Sequence, residues 1–221
     1  MVRHLLDRLD GSGRVTGVGT DAEMLGHAAT TVVDSRVDWR RADAALLPFE
    51  DVSIDRVCCH RGLQFFPDRP AVLAEIRRVL VPGGRVAVAV WGRIEHNPWP
   101  AALSMAVGHL VVDDAGARMA VVCELGDPDE LAGLLRWAGF GDVTAVVHEH
   151  VAVHGDVSAA VAGQLAALPS GSAIGELDEE RRAGLIELVC DLLRDHVAVD
   201  GRLGVPSTSS LASAVAPGPG P

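Results

Sequence analysis

The segment Ala42–Trp91, ADAALLPFEDVSIDRVCCHRGLQFFPDRPAVLAEIRRVLVPGGRVAVAVW, decides the fold. Ile54–Cys59 and Val86–Trp91 are short apolar runs, the second without a charge, as strands buried in a parallel sheet require. Between them Val72, Leu73, Ile76, Val79 and Leu80 recur at helical spacing, with Glu75, Arg77 and Arg78 on the other face. Pro82-Gly83-Gly84 stops that helix, because Pro cannot continue it and Gly supplies the positive φ of a C-terminal turn. Strand, helix and strand form a βαβ unit, expected to cross over with right-handed sense.

Upstream, Val2–Leu9 is compatible with a short helix closed by the loop signal Asp10-Gly11-Ser12-Gly13. Arg14–Val18 reads as a strand. Thr20-Asp21-Ala22-Glu23 has the form of a capping box with Thr20 at the N-cap, ahead of Met24, Leu25 and Ala28 on one helical face. Val37–Arg41 is a further strand. Downstream, Ala101–Leu110 predicts a buried helix, and Asp127-Pro128 starts another, with Asp127 as N-cap and Pro128 at the first position. Asp142–Val153 alternates as a strand, Val157–Leu168 and Asp178–Val197 read as helices, and Arg202–Ala214 as the final strand. Pro217–Pro221 has the composition of a disordered tail.

Asp43-Ala44, Leu47-Pro48-Phe49, Asp55, Gly62–Asp68, Glu75–Leu80 and Pro82–Arg85, in this order and spacing, resemble class I S-adenosylmethionine-dependent methyltransferases. The similarity is greatest to the branch related to ubiquinone and menaquinone biosynthesis. The resemblance implies an α/β fold: a Rossmann-like, mostly parallel sheet flanked by helices, in one domain over residues 1–216 with the tail 217–221. It implies S-adenosylmethionine as cofactor and methyl transfer to a small-molecule acceptor. It places the cofactor against Gly19, Thr20, Met24, Asp43, Ala44 and His60, with Asp43 taking the adenine amino group and the Ala44 N–H a ring nitrogen. No catalytic residue is assigned; His60 and His96 are candidate bases for an acceptor that must lose a proton. Leu63–Phe66 is expected to cover the methionine end or the substrate mouth, and Gly92–Pro100 either lines the acceptor pocket or is an ordinary connection.

Two departures from the family pattern bear on activity. Gly19 stands where the family has an acid that accepts from both ribose hydroxyls, a loss worth about 1–3 kcal/mol; Asp21 lies two residues on. The family's first strand and its glycine-rich turn precede the helix that Val2–Leu9 would continue. Neither is found here, so the expectation is an amino-terminally truncated chain without the central first strand of its sheet. The alternative to an enzyme is then a non-catalytic remnant that binds cofactor weakly or not at all. A nicotinamide-dependent oxidoreductase shares the βαβ logic, but Asp43-Ala44 and Pro82-Gly83-Gly84 do not belong to it.

Composition narrows the partners. Nineteen basic residues, all Arg, against thirty acidic ones give a net charge of −11, which disfavours a nucleic-acid partner because phosphate neutralisation needs a basic surface. Four cysteines form neither a disulfide framework nor a Cys-x-x-Cys pattern, which fits a reducing cytoplasm. No apolar run reaches the roughly 20 residues of a membrane span. His148, His150 and His154 invite a metal reading because 148 and 150 share a strand face, but no nearby Cys or third ligand at standard spacing supports it, so no metal site is expected. Oligomeric state is open.

Overall fold

The computed structural model describes residues 1–110, 121–166 and 177–218. After a short helix α1 (Val2–Leu6), strands β1 (Val15–Gly19) and β2 (Val37–Arg41) pair in parallel through helix α2 (Ala22–Thr31). Gly17 is required for this pairing. A Cβ there would lie 2.3 Å from the Trp39 ring, so the indole closes over β1 only because residue 17 has no side chain.

A second sheet contains β3 (Ile54–His60), β4 (Leu80–Trp91), β5 (Gly141–His154) and β6 (Leu203–Val215), in the order β3-β4-β6-β5. β3 and β4 are parallel, linked by α3 (Arg69–Val79), while β6 runs antiparallel to both β4 and β5. The α/β architecture and the βαβ unit expected from Ala42–Trp91 are therefore present. The strands divide into two sheets between β1 and β3, and each of these keeps one edge without a strand partner among the described residues.

The remaining helices are α4 (Pro98–Leu110), α5 (Pro128–Trp137), α6 (Val157–Ala166) and α7 (Glu179–Leu193). Val72, Leu73 and Ile76 of α3 and Leu131 and Leu135 of α5 pack on Val86, Val88 and Val90 of β4, the main core. Each fully buried side chain of this size contributes roughly 1.5–3 kcal/mol. A second cluster joins α4, α6 and α7 to Leu203 and Val205 of β6.

Several boundaries differ from the sequence expectation, each for a local reason. Helix α3 ends at Val79, ahead of Pro82-Gly83-Gly84, because Leu80 pairs with Ile54 in the ladder and a residue before Pro avoids helical backbone. Pro82-Gly83-Gly84 is instead a bulge within β4: Gly83 has φ 78° and donates to Ala216 O at 2.9 Å, and Gly84 O accepts from Ala216 N at 2.8 Å. The N-cap of α2 is Asp21, not Thr20, since the Asp21 carboxylate accepts from Met24 N at 2.9 Å. α1 stops at Leu6, and α7 stops at Leu193, ahead of a 3-10 turn at Arg194–His196. Residues 167 and 168 of the expected sixth helix and 219–221 of the tail lie outside the described residues.

Candidate functional site

Parallel pairing puts the carboxyl ends of β1 and β2 side by side, with Gly19 opposite Arg41. Ala42 N donates to Gly19 O at 3.0 Å and Arg41 Nε to Thr20 O at 2.9 Å. Four of the expected cofactor residues, Gly19, Thr20, Asp43 and Ala44, are thereby gathered at one edge, where open α/β sheets bind ligands. The Asp43 carboxylate accepts from Ala45 N at 2.9 Å through Oδ1, which turns the loop and leaves Oδ2 for a ligand. A Cβ at Gly19 would meet only Leu25, at 3.8 Å, so a side chain fits there but Gly supplies no acceptor. Asp21 spends one oxygen on the cap of α2, and Met24 is 73% exposed beside it. These residues fit the adenine half of S-adenosylmethionine and offer no charged acceptor at Gly19 for its ribose.

The loop that carries Asp43 and Ala44 is fastened to α3 by two residues of its polar face. Glu75 Oε1 accepts from Leu47 N at 2.8 Å; Arg78 pairs with Glu75 and Asp51 and donates to Leu47 O and Phe49 O. The Arg78 guanidinium holds the Glu75 carboxyl below its ordinary 4.5, and the side chain is only 12% exposed. A carboxylate whose folded value is depressed stabilises the fold above its unfolded value, and that contribution disappears as pH falls through the folded value. Glu75→Gln should therefore lower the melting temperature at neutral pH by roughly 2–6 °C and flatten the loss of stability below about pH 4.5. Thermal melts across that range check it; an unchanged acid slope would assign the staple no weight.

His60 ends β3 on the second sheet, and no hydrogen bond or ion pair joins it to the β1–β2 group among the described residues. It lines a cavity of about 340 Å³ with Cys58, Ala87, Ala89, Thr144 and Ser213, on the sheet face opposite α3 and α5. Partial burial, and then the Arg61 charge, pull its imidazole below 6.5, so it is neutral at pH 7.

Arg61, which follows, carries more structure than the sequence reading gave it. Its φ is 55°, its guanidinium sits 3.5 Å from the centroid of the Trp91 ring, and it donates to Ser209 Oγ at 3.1 Å. A non-glycine residue in that backbone region costs on the order of 1 kcal/mol and is held there by what it contacts.

The Gly92–Pro100 segment divides. Glu95 and His96 are exposed, whereas Asn97 is fully buried and its side chain takes part in four hydrogen bonds at the end of β4. Asn97 is thus a structural link, so this part of the segment acts as a connection. On β5, the His148 and His150 rings stack at 5.9 Å between centroids, and among the described residues no three His, Cys, Asp or Glu side chains gather to hold a metal. Within Leu63–Phe66, the segment expected over the methionine end or the substrate mouth, Leu63 and Gln64 are buried and Phe65 is exposed.

Residues 1–88 match the family model described as a methyltransferase domain. The ubiquinone/menaquinone biosynthesis C-methyltransferase of Acidiphilium cryptum is 34% identical over 113 residues, 47% of this chain and 45% of that protein. The chain spans less than half the length of the curated relatives it matches. Among solved structures, a methyltransferase-like protein of Bacillus halodurans superposes with a TM-score of 0.56 at 15% identity, covering 93% of this chain and 84% of that one. The phosphoethanolamine N-methyltransferase 2 of Haemonchus contortus, solved with S-adenosyl-L-methionine, gives 0.56 at 17% identity, covering 98% and 46%. These likenesses show the fold, and no described helix is long and apolar enough to cross a membrane. The amino-terminal 88 residues thus carry the methyltransferase-domain match, and about half of the chain is similar in sequence to the ubiquinone/menaquinone C-methyltransferases.

Proposed function

We propose that the chain, acting as one domain over residues 1–216, binds S-adenosylmethionine at the carboxyl ends of β1 and β2 and transfers its methyl group to a small-molecule acceptor. The observation that carries this reading is the β1–β2 pairing, which sets Asp43 and Ala44 beside Gly19 and Thr20 with Asp43 Oδ2 left for a ligand. Bound there, the cofactor supplies an activated methyl sulfonium, so the protein's work is alignment and exclusion of water. Asp43 accepts from the adenine amino group, the Ala44 N–H donates to a ring nitrogen, and the Glu75–Arg78 staple keeps both in place. His60, neutral at pH 7, is the group suited to take a proton from an acceptor that must lose one.

A second reading, a methyltransferase-fold protein that binds the cofactor weakly or not at all, is favoured by Gly19. Calorimetric titration with S-adenosylhomocysteine separates the two. The enzyme reading expects saturable heat; its absence at high protein concentration, with adenosine equally silent, would leave the second reading.

A further inference from the structure

Strand β5 is an edge of the second sheet, and six consecutive residues of it, Val146 to Val151, are exposed. Natural edges are usually blunted by Lys, Pro, a bulge or shortness. β5 is 14 residues long, contains neither Lys nor Pro, and keeps an unbroken register with β6 from Thr144 to His154. Its outer side has no strand partner among the described residues.

β6 fixes which backbone groups face that outer side. Thr208 N donates to Asn97 Oδ1 and Thr208 O accepts from Gly92 N, so Thr208 turns its backbone groups away from β5. Ser207 and Ser209 therefore turn theirs toward β5, where they oppose His150 and His148. The backbone groups of His148 and His150 are spent on β6, while Val147, Glu149 and Val151 present N–H and C=O to the open edge.

Around Glu149 the sequence Val147-His148-Glu149-His150-Val151 reads the same in both directions. A two-fold interface sets residue i of one copy against j of the other and j against i. Antiparallel pairing about an axis at Glu149 thus sets Val147 against Val151 and His148 against His150, twice each, and brings outward-facing backbone groups together. It covers Val147 and Val151, which are 47% and 60% exposed. Opposed Cβ atoms in such ladders lie about 4.5–5.5 Å apart. Within one chain the His148 and His150 rings already stack at 5.9 Å between centroids, neither has a hydrogen bond or ion pair among the described residues, and no third ligand joins them. The axis turns two imidazoles on one sheet face into four, the ligand number of a tetrahedral zinc site.

We propose that the β5 strands of two copies pair antiparallel about Glu149, and that His148 and His150 of both copies hold one zinc ion on the two-fold axis. Glu149 then opposes itself, and like charges directly opposite weaken a ladder, so the metal is what makes the pair stable. The site does not rest on the methyl-transfer reading: β3, which carries His60, lies at the other edge of this sheet.

The test is sedimentation of the full chain without a histidine tag, metal-free and with zinc chloride, together with measurement of bound zinc. Zinc should tighten dimerisation at least about tenfold, at one ion per two chains. His148→Ala and His150→Ala should each lose that effect and keep the melting temperature within about 2 °C, since both residues are exposed. Val147→Pro removes only an outward-facing N–H, a place where an edge strand tolerates Pro, and should stay monomeric in zinc. Should it fail to fold, Val147→Lys at the same exposed position is used instead. Glu149→Gln should strengthen pairing in zinc by roughly two- to fivefold, because only this register sets Glu149 against itself. Absence of a zinc-dependent dimer, one ion per chain, a dimer that survives the substitution at Val147, or a Glu149→Gln variant that pairs no better overturns the proposal.

Discussion

Asn97→Ala is expected to destabilise the fold by about 3 kcal/mol, lowering the melting temperature by roughly 6–12 °C. β4 ends at Trp91, paired with Ser209 of β6, and Gly92 N still reaches Thr208 O at 3.0 Å. Beyond that point β6 has lost its neighbour on this side. Asn97 takes over: Oδ1 accepts from Thr208 N at 2.9 Å and Ser207 Oγ at 3.2 Å, and Nδ2 donates to Thr208 Oγ1 at 2.8 Å and Arg93 O at 2.9 Å. The residue is 0% exposed, so truncation strands a buried backbone N–H and opens a void at once. The surroundings leave little room for repair. A Cβ at Gly92 would lie 2.1 Å from Thr208 Oγ1, and one at Gly126 would lie 2.4 Å from Arg93 N. Ser207→Ala, which removes only the longest of the four bonds, should cost under about 1 kcal/mol. Denaturant melts of the two variants decide; an Asn97→Ala loss below about 1 kcal/mol would mean that water replaces the amide and the link is dispensable.

What the sequence revealed follows from the range of the forces involved. The strand was legible from the unbroken apolar run Val86–Trp91, in which the structure buries Val86, Val88 and Val90 and exposes Ala87. Asp127-Pro128 starts its helix as expected because a cap is made within three residues: Asp127 accepts from Asp129 N at 2.8 Å. The same locality explains the miss at α2, where Thr20 and Asp21 both have cap chemistry and only the backbone decides between them. Division of the strands into two sheets was not legible, since pairing joins segments distant in the chain. Glu75 and Arg78 read as a solvated helix face, yet they hold the Leu47–Asp51 loop. Asn97 and Gln64 illustrate the general difficulty. A polar residue in a connection is usually at the surface, and nothing nearby in sequence says that it is buried.

Asp43→Asn should weaken S-adenosylhomocysteine binding by roughly 10- to 100-fold while shifting the melting temperature by less than about 2 °C. The substitution separates the two tasks of this side chain. One oxygen accepts from Ala45 N at 2.9 Å and shapes the turn in which Leu46 N reaches Asp43 O at 3.0 Å. Asn retains an oxygen for that bond, so the loop keeps its form. The other position changes from a charged acceptor to an NH₂ donor, which faces the adenine amino group, itself a donor. Losing a charge-assisted bond accounts for about 1.5–3 kcal/mol, and hence for the expected range of affinity. The logic reverses with S-inosylhomocysteine, whose base carries an oxygen where adenine carries the amino group. Wild type should discriminate against it, and Asp43→Asn should narrow that discrimination without erasing it, because the ring nitrogen beside that oxygen carries a proton and cannot accept from the Ala44 N–H. Asp43→Ala removes both tasks and should lower affinity and melting temperature together. If Asp43→Asn binds both nucleosides as wild type does, Asp43 is only a turn residue, and the adenine side of the proposed site has to be sought elsewhere along the edge of β1 and β2.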